Sequence, residues 1–195
     1  MNKNFDIEVT GMGFNITGYP GAFTPTVKKI IEKKIWGKVL HLFSGQSEIG
    51  EERIDIEHIN ATQRINVKDF LKTDNRNWDW ILLDPPYKLI RKRKTKEYTI
   101  QQPFSADVEL RSLIRDYAIK HTNNILWLDY CAPMIKGFRR RKLWLLLPGG
   151  YHNVRILSWL IKPEEHKKNI EEHYRIWEEI NKYYEEWIIL HTKFL

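Results

Sequence analysis

The chain has 195 residues, of which 42% are hydrophobic, and it carries a formal net charge of +7 with a single cysteine, Cys131. This length allows one domain with its own core and excludes a large second domain. The lone cysteine excludes an internal disulfide framework, and no apolar run approaches the roughly 20 residues of a membrane span. We therefore expect a soluble, cytoplasmic protein with Cys131 in its core, and the positive charge favours an acidic partner such as nucleic acid.

The N-terminal part of the chain reads as a loop-rich segment followed by a helix. Residues 1–26 contain four glycines and two prolines, which indicate loops or short strands. Residues 27–35 show a helical apolar period with lysines on the other face, and Gly37 is placed to end that helix. Residues 1–36 therefore predict a loop or short strand that leads into one helix.

Three predicted strand segments follow in residues 39–43, 53–56 and 64–70. The first two end near Gly45 and Asp55, and the third includes the turn around Asp69. Only ten residues separate Gly45 from Asp55. A usual crossover helix does not fit there, and we expect a helix of about one turn.

A fourth apolar run, residues 80–83, leads into Asp84-Pro85-Pro86-Tyr87. The two prolines restrict the backbone, so the Pro85 carbonyl has a preset direction. That carbonyl and the Asp84 carboxylate can together accept both hydrogens of a planar amino group, which frees the nitrogen lone pair for attack on an electrophile. Tyr87 offers a flat face for the ring that carries the amine. The structural alternative is a strand end closed by a stiff turn.

Residues 88–104 form a basic segment without a clean apolar period, which is typical of a loop that orders on phosphate or of a solvated face. Residues 105–120 predict a helix with Ser105 as its N-cap. Residues 125–129 predict a further buried strand. Asp129 and Tyr130 follow at its end, and no pattern assigns them a role.

The last part of the chain predicts a hairpin and a helix. Residues 143–147 and 154–161 flank a Pro-Gly-Gly turn, and His152 and Asn153 are interpreted as turn residues. Residues 163–190 predict a C-terminal helix whose apolar stripe is either a packed face or a dimer surface. The stripe comprises Ile170, Trp177, Ile180, Tyr184 and Ile188.

Two of these motifs resemble those of S-adenosylmethionine-dependent amino-methyltransferases. Residues 39–48, with the sequence VLHLFSGQSE, resemble the cofactor-binding first motif, and Asp84-Pro85-Pro86-Tyr87 resembles the fourth. The resemblance spans residues 18–160 and points to the small DNA adenine methyltransferases of phages and archaea. The sequence departs from the family pattern where Ser47 stands in place of a second glycine. The resemblance implies an α/β, Rossmann-like class I methyltransferase fold in a single domain, residues 1–195, with a mostly parallel sheet and a final antiparallel strand.

The resemblance also implies a cofactor, S-adenosylmethionine, and a set of site residues. The segment Gly18-Tyr19-Pro20-Gly21-Ala22-Phe23 would close over the methionine end of the cofactor. Asp55 would bind the ribose hydroxyls, and Asp69 would accept from the adenine amine. The cofactor-binding residues are predicted to be Tyr19, Pro20, Phe43, Ser44, Gly45, Asp55, Asp69 and Phe70. The catalytic residues are predicted to be Asp84, Pro85, Pro86 and Tyr87.

The predicted reaction is methyl transfer to the exocyclic amine of a base, with adenine in DNA favoured and base flipping implied for a duplex. Two alternatives stay open. One is methylation of guanine-N2 or adenine in RNA, and the other is a non-catalytic nucleic-acid-binding module on a decayed fold. No metal is expected. A homodimer or a separate recognition subunit is a further possible partner. Nucleic-acid contacts are predicted at two basic clusters, Lys88, Arg91, Lys92, Arg93 and Lys94, and Arg139, Arg140 and Arg141.

Overall fold

The computed structural model describes residues 6–18, 22–86, 107–149, 153–165, 172 and 175–183. The chain divides into two compact units, Met1–Ile161 and Lys162–Leu195. The first unit contains every strand and three helices of the described chain. In the second unit, residues 163–165, 172 and 175–183 are helical, in agreement with the predicted C-terminal helix over those positions.

The first unit alternates strands and helices. Its elements in chain order are β1 (Asp6–Gly11), α1 (Pro25–Lys34), β2 (Val39–Leu42), β3 (Glu52–Asp55), β4 (Gln63–Arg64), α2 (Val67–Thr73), β5 (Trp78–Leu83), α3 (Val108–His121), β6 (Thr122–Asp129), β7 (Arg139–Leu147) and β8 (Arg155–Ile161).

The eight strands form one sheet in the order β1-β7-β8-β6-β5-β2-β3-β4. All strand pairs are parallel except those of β8, which runs antiparallel to both β6 and β7. The predicted α/β class, the mostly parallel sheet and the β7–β8 hairpin are confirmed, and the arrangement is compatible with a Rossmann-like fold. The resemblance also implies that this antiparallel pair forms the sheet edge, but β1 pairs with β7 and extends the sheet beyond the hairpin.

The strand order reverses its direction between β2 and β5. From β2 the chain proceeds outward through β3 to β4, whereas β5 returns to the other side of β2 and β6 continues away from it. Leu42 of β2 and Leu83 of β5 are register partners at the carboxyl ends of the two strands. A crevice at such a reversal is the usual ligand site of an open α/β sheet.

Helices cover both faces of the central strands. α2 and α3 pack on one face, which carries Leu42, Ile81 and Leu83, and α1 packs on the other face, over Trp80 and Leu82. Burial on both sides explains why β5 and β6 are nearly continuous apolar runs instead of alternating ones.

Several local predictions need correction. The predicted strand over residues 64–70 is wrong, because the strand is limited to Gln63–Arg64 and α2 follows it. The Asn66 side chain accepts the Lys68 N–H at 2.9 Å and so caps that helix. Helix α3 is capped by Asp107, whose carboxylate accepts the Leu110 N–H at 2.9 Å, and Ser105 lies outside the described residues.

One burial prediction also differs from the structure. Cys131 is exposed and not a core residue, because it follows the buried part of β6 in the loop at the sheet edge. In the second unit, Trp177 and Ile180 of the predicted apolar stripe are 58% and 59% exposed. The other three stripe residues lie outside the described residues. No described helix has the length and apolarity needed to cross a membrane.

The connection from α1 to β2 depends on a glycine. Helix α1 ends at Lys34 with Ile35 as its C-cap, and Gly37 then adopts a left-handed φ of +67°. A Cβ on Gly37 would lie 2.1 Å from Asp79 Oδ2, the atom that accepts the Lys38 N–H at 2.7 Å. This contact joins the start of β2 to the start of β5.

We predict that Gly37→Ala lowers the free energy of unfolding by about 1–3 kcal/mol, because it forces a left-handed alanine and displaces the Asp79 carboxylate. The matched control is Gly11→Ala. Gly11 has no positive φ and no atom within 4 Å of the added Cβ. Chemical denaturation measures both variants, and equal stability of the two would contradict the role of the Gly37 turn.

Candidate functional site

The carboxyl end of β2 turns sharply at Phe43. Phe43 has a φ of +62° and is the only non-glycine residue with a positive φ among those described. Such a conformation costs about 1–3 kcal/mol and persists where the surroundings impose it, often at ligand sites. The turn directs the Ser44 N–H to the Ile54 carbonyl of β3 at 3.0 Å.

The Asp55 carboxylate holds this turn in place. Its Oδ2 accepts the Gly45 N–H at 3.0 Å, and its Oδ1 accepts the N–H groups of Glu57 and His58, both at 3.0 Å. The structure thus brings together Gly45 and Asp55, two residues predicted for one site. Three of the about four acceptor positions of this carboxylate are occupied by backbone. Residues 43–51 contain turns and no helix. The helix of about one turn that was predicted for this connection therefore does not form.

Two buried polar atoms in the same turn have no hydrogen-bond partner among the described residues. They are Ser44 Oγ and Gln46 Oε1, and Ser44 is only 5% exposed. A buried polar atom without a hydrogen bond costs about 1–3 kcal/mol, so a ligand or water that bonds to these atoms would be favoured. Sequence reasoning selected Ser44 and missed Gln46, whose only signal was its position one residue after Gly45.

Asp84 lies beside this turn. It directly follows β5, it is half-buried, and its N–H donates to the Leu42 carbonyl at 3.4 Å. This position places Asp84 at the carboxyl edge of the sheet, beside the end of β2. Pro85 is buried and Pro86 is half-buried, whereas Tyr87 lies outside the described residues.

The loop before α1 contacts β2 near this site. The Phe23 ring stacks on the His41 ring with centroids 5.7 Å apart and planes 5° apart. Phe23 is the last residue of the segment that was expected to close over a cofactor. Its stacking on His41 places that end of the segment against β2. Tyr19 and Pro20, the residues predicted to contact the cofactor, lie outside the described residues.

The His41 ring is fully buried beneath Phe23. Its Nδ1 lies 3.1 Å from the Ile49 carbonyl oxygen, and its Nε2 has no hydrogen-bond partner. Burial lowers the pKa of His41 to about 4, although the Ile49 carbonyl acts in the opposite direction. His41 is therefore neutral at physiological pH, and it was not selected from the sequence.

Asp69 and Phe70 lie on α2, beyond β3 and β4. Asp69 is exposed in the first turn of the helix. Phe70 is 2% exposed in the core, with its ring centroid 6.5 Å from that of Tyr117 on α3. The structure thus gives Phe70 a core position, in the cluster against which Phe43 also packs.

The basic cluster Arg139–Arg141 begins at the amino end of β7. Arg139 pairs with Ile161, which in turn pairs with Asn124 near the start of β6. Arg141 Nη1 contacts Asp6 Oδ2 at 3.1 Å. The Arg140 guanidinium donates to the Ala132 carbonyl in the loop that follows β6, so only Arg139 is placed at the edge opposite Asp84. The other basic cluster, Lys88 to Lys94, lies outside the described residues.

Two further ionisable groups, Asp129 and Cys131, lie at the carboxyl end of β6. Burial raises the pKa of the Asp129 carboxyl at the end of β6, and burial also raises the pKa of the Cys131 thiol, with Asp129 adding to it. A raised thiol pKa disfavours the nucleophilic thiolate. Within the described ranges, no three His, Cys, Asp or Glu residues are grouped to hold a metal ion.

Comparisons with known proteins give no match to any family model, any curated protein or any solved structure. We therefore infer the function from the geometry at the carboxyl edge of the sheet.

Burial of His41 predicts a pH-dependent stability. The unfolded chain binds a proton near pH 6.5 and the folded chain only near pH 4, so stability falls as the pH decreases through this window. We expect wild-type protein to lose about 3 kcal/mol more unfolding free energy than His41→Leu between pH 6.5 and pH 4. Urea denaturation at both pH values measures the difference, and a parallel loss in the two proteins would show that His41 does not cause it.

Proposed function

We propose that this protein transfers a methyl group from S-adenosylmethionine to the exocyclic amine of a nucleic-acid base, with adenine in DNA as the favoured substrate. A Rossmann-like class I methyltransferase fold belongs to the same proposal. The observation that carries it is the adjacency of the Ser44 turn and Asp84 on either side of the strand reversal. A cofactor crevice and an amine-binding acid are expected at this position.

The proposed chemistry at Asp84 follows from its residue type and surroundings. A half-buried carboxylate is a strong hydrogen-bond acceptor, since less water competes for it than at an exposed site. Accepting one amine hydrogen while the Pro85 carbonyl accepts the other would hold the nitrogen with its lone pair directed at the methyl donor. A base in a duplex would have to leave its stack to reach this position.

The turn residues fit a cofactor that carries several hydroxyl and amino groups. Ser44 Oγ and Gln46 Oε1 are buried acceptors that lack partners, and Asp55 retains about one acceptor position. S-adenosylmethionine offers hydroxyl and amino donors to such atoms, and it would supply an electrophilic methyl group. Phe23, stacked on His41, would help to exclude water from this side of the crevice.

A second candidate function is a non-catalytic nucleic-acid-binding module. The occupied Asp55 carboxylate favours it, because three backbone N–H groups already use most of the acid that would bind the ribose. The departure at Ser47 points in the same direction.

One assay separates these functions. The protein is incubated with methyl-labelled S-adenosylmethionine and either DNA or RNA, and the modified nucleoside is identified. The proposal expects label in N6-methyladenine from DNA, whereas label in RNA would move the activity to the RNA alternative. Nucleic-acid binding without cofactor binding by calorimetry would support the module instead.

Asp84→Ala should lower methyl-transfer turnover by at least about a hundredfold, because it removes an acceptor that aligns the amine at the moment of attack. Cofactor affinity should change little. The control is Asp116→Asn on α3, an exposed acid that pairs with Arg115. Single-turnover rates measure both variants, and an Asp84→Ala rate near that of wild type would exclude Asp84 from catalysis.

Ser44→Ala should weaken cofactor binding by about fivefold to thirtyfold, since it removes one acceptor from the crevice. The free protein should not lose stability, because Ser44 Oγ has no protein partner to lose. Ser47→Ala provides the contrast, since Ser47 Oγ accepts the Ile49 N–H at 3.2 Å and its removal should cost stability. Calorimetry and thermal denaturation give the two quantities, and a destabilised Ser44→Ala with normal affinity would reverse the assignment.

A further inference from the structure

A cavity of about 300 Å³ lies at the carboxyl edge of the sheet, beyond β6. The β1–α1 connection, the residue after β6 and the β7–β8 connection form its walls. None of the described residues predicted for cofactor binding or catalysis lines it. The lining residues with side chains suited to recognition are Phe14, Asn15, Tyr130, Asn153 and Arg155.

The lining combines aromatic rings with one positive charge. Phe14 is 83% exposed, and Arg155 places its guanidinium carbon 5.9 Å from the centre of the Tyr130 ring. Arg155 carries the only formal charge among the described lining residues. Aromatic faces stack planar heterocycles, and a guanidinium binds phosphate with two parallel hydrogen bonds.

The start of α1 adds to this positive potential. Thr24 is the N-cap of this ten-residue helix, and it is also part of the cavity wall. The amino end of a helix dipole favours an anion. The amino end of α1, Arg155 and the two rings together make the cavity suitable for a flat ligand that carries a negative group.

The cavity lies at the same carboxyl edge of the sheet as Asp84. Tyr130 directly follows β6, and Asp84 directly follows β5. The strands that they follow, β6 and β5, are direct neighbours. Neighbouring strands are about 4.8 Å apart, so a ligand in the cavity would lie roughly one to three strand spacings from Asp84.

We propose that this cavity binds one nucleotide of the nucleic-acid substrate, next to the nucleotide whose base reaches Asp84. The base stacks on Tyr130 and Phe14, and its phosphate binds Arg155. Asn153 supplies an amide group for the base edge, whereas the Asn15 amide oxygen accepts from the Thr17 N–H and hydroxyl and shapes the wall. The role as part of a substrate site depends on the proposed function, whereas nucleotide binding by the cavity does not.

The test is binding of cytidine monophosphate, cytidine and inorganic phosphate to the full chain by calorimetry, with S-adenosylhomocysteine present to occupy any cofactor site. A pyrimidine nucleotide is used because an adenine nucleotide could enter a site for the cofactor. Cytidine monophosphate should bind at least about tenfold more tightly than cytidine or phosphate alone.

Variants assign the binding to the cavity. Arg155→Gln should remove the preference for cytidine monophosphate over cytidine, and Phe14→Ala should weaken the binding of both ligands. Phe14 is an exposed loop residue, so this second variant keeps the test valid if Arg155→Gln is unfolded. Arg111→Gln, at an exposed position on α3, is the control and should bind like wild type.

Three results would overturn the inference: no binding of cytidine monophosphate, equal binding of nucleotide and nucleoside, or binding that Phe14→Ala and Arg155→Gln leave unchanged. These results are independent of the proposed function, whose failure would appear as absence of methyl transfer. Binding that S-adenosylhomocysteine abolishes would also count against a separate site.

Discussion

The pairing of β2 with β5 is the constraint on which the candidate site depends. Leu42 and Leu83 are register partners, and the Asp84 N–H extends the pairing by donating to the Leu42 carbonyl. A one-residue slip would move every side chain of a strand to the other face of the sheet. The Lys38 N–H bond to Asp79 fixes the same pairing at the opposite end. The position of Asp84 relative to the Ser44 turn is therefore set by the sheet and not by a loop.

The turn after β2 shows how a short connection can replace a longer one. A crossover helix usually presents its amino end to a ligand at this position. Here the chain instead uses the strained Phe43 and the three backbone bonds of Asp55 to shape a helix-free loop. The same loop leaves Ser44 Oγ and Gln46 Oε1 buried without partners. The Asp55 carboxylate that organises the loop and the two buried atoms without a hydrogen-bond partner among the described residues are thus parts of one arrangement.

Much of the fold could be predicted from the sequence because the central strands are long apolar runs with clear turn signals. The runs at β5 and β6 and the β7–β8 hairpin belong to this class. The third strand was predicted wrongly because the Asn66 side chain caps a helix where the apolar pattern alone was ambiguous. Cys131 was misplaced because an apolar neighbourhood in sequence does not report where a strand ends.

The candidate site was predictable only in part. Gly45, Asp55 and Asp84 follow apolar runs, so their shared edge could be inferred from strand ends. Three features depend on contacts between distant segments, which no local pattern encodes: the stacking of Phe23 on His41, the unpaired Gln46 and the cavity beside Tyr130. The two basic clusters looked equivalent in sequence, but the direction of β7 places Arg139 at the far edge of the sheet.

The most direct measurement of the central claim is an amide chemical-shift map of the protein recorded while S-adenosylmethionine is added. We expect the largest changes in amide chemical shift at Ser44, Gln46 and Asp84, on both sides of the β2–β5 pair. Changes confined to the edge around Arg139, or no changes at all, would contradict a cofactor crevice at the strand reversal.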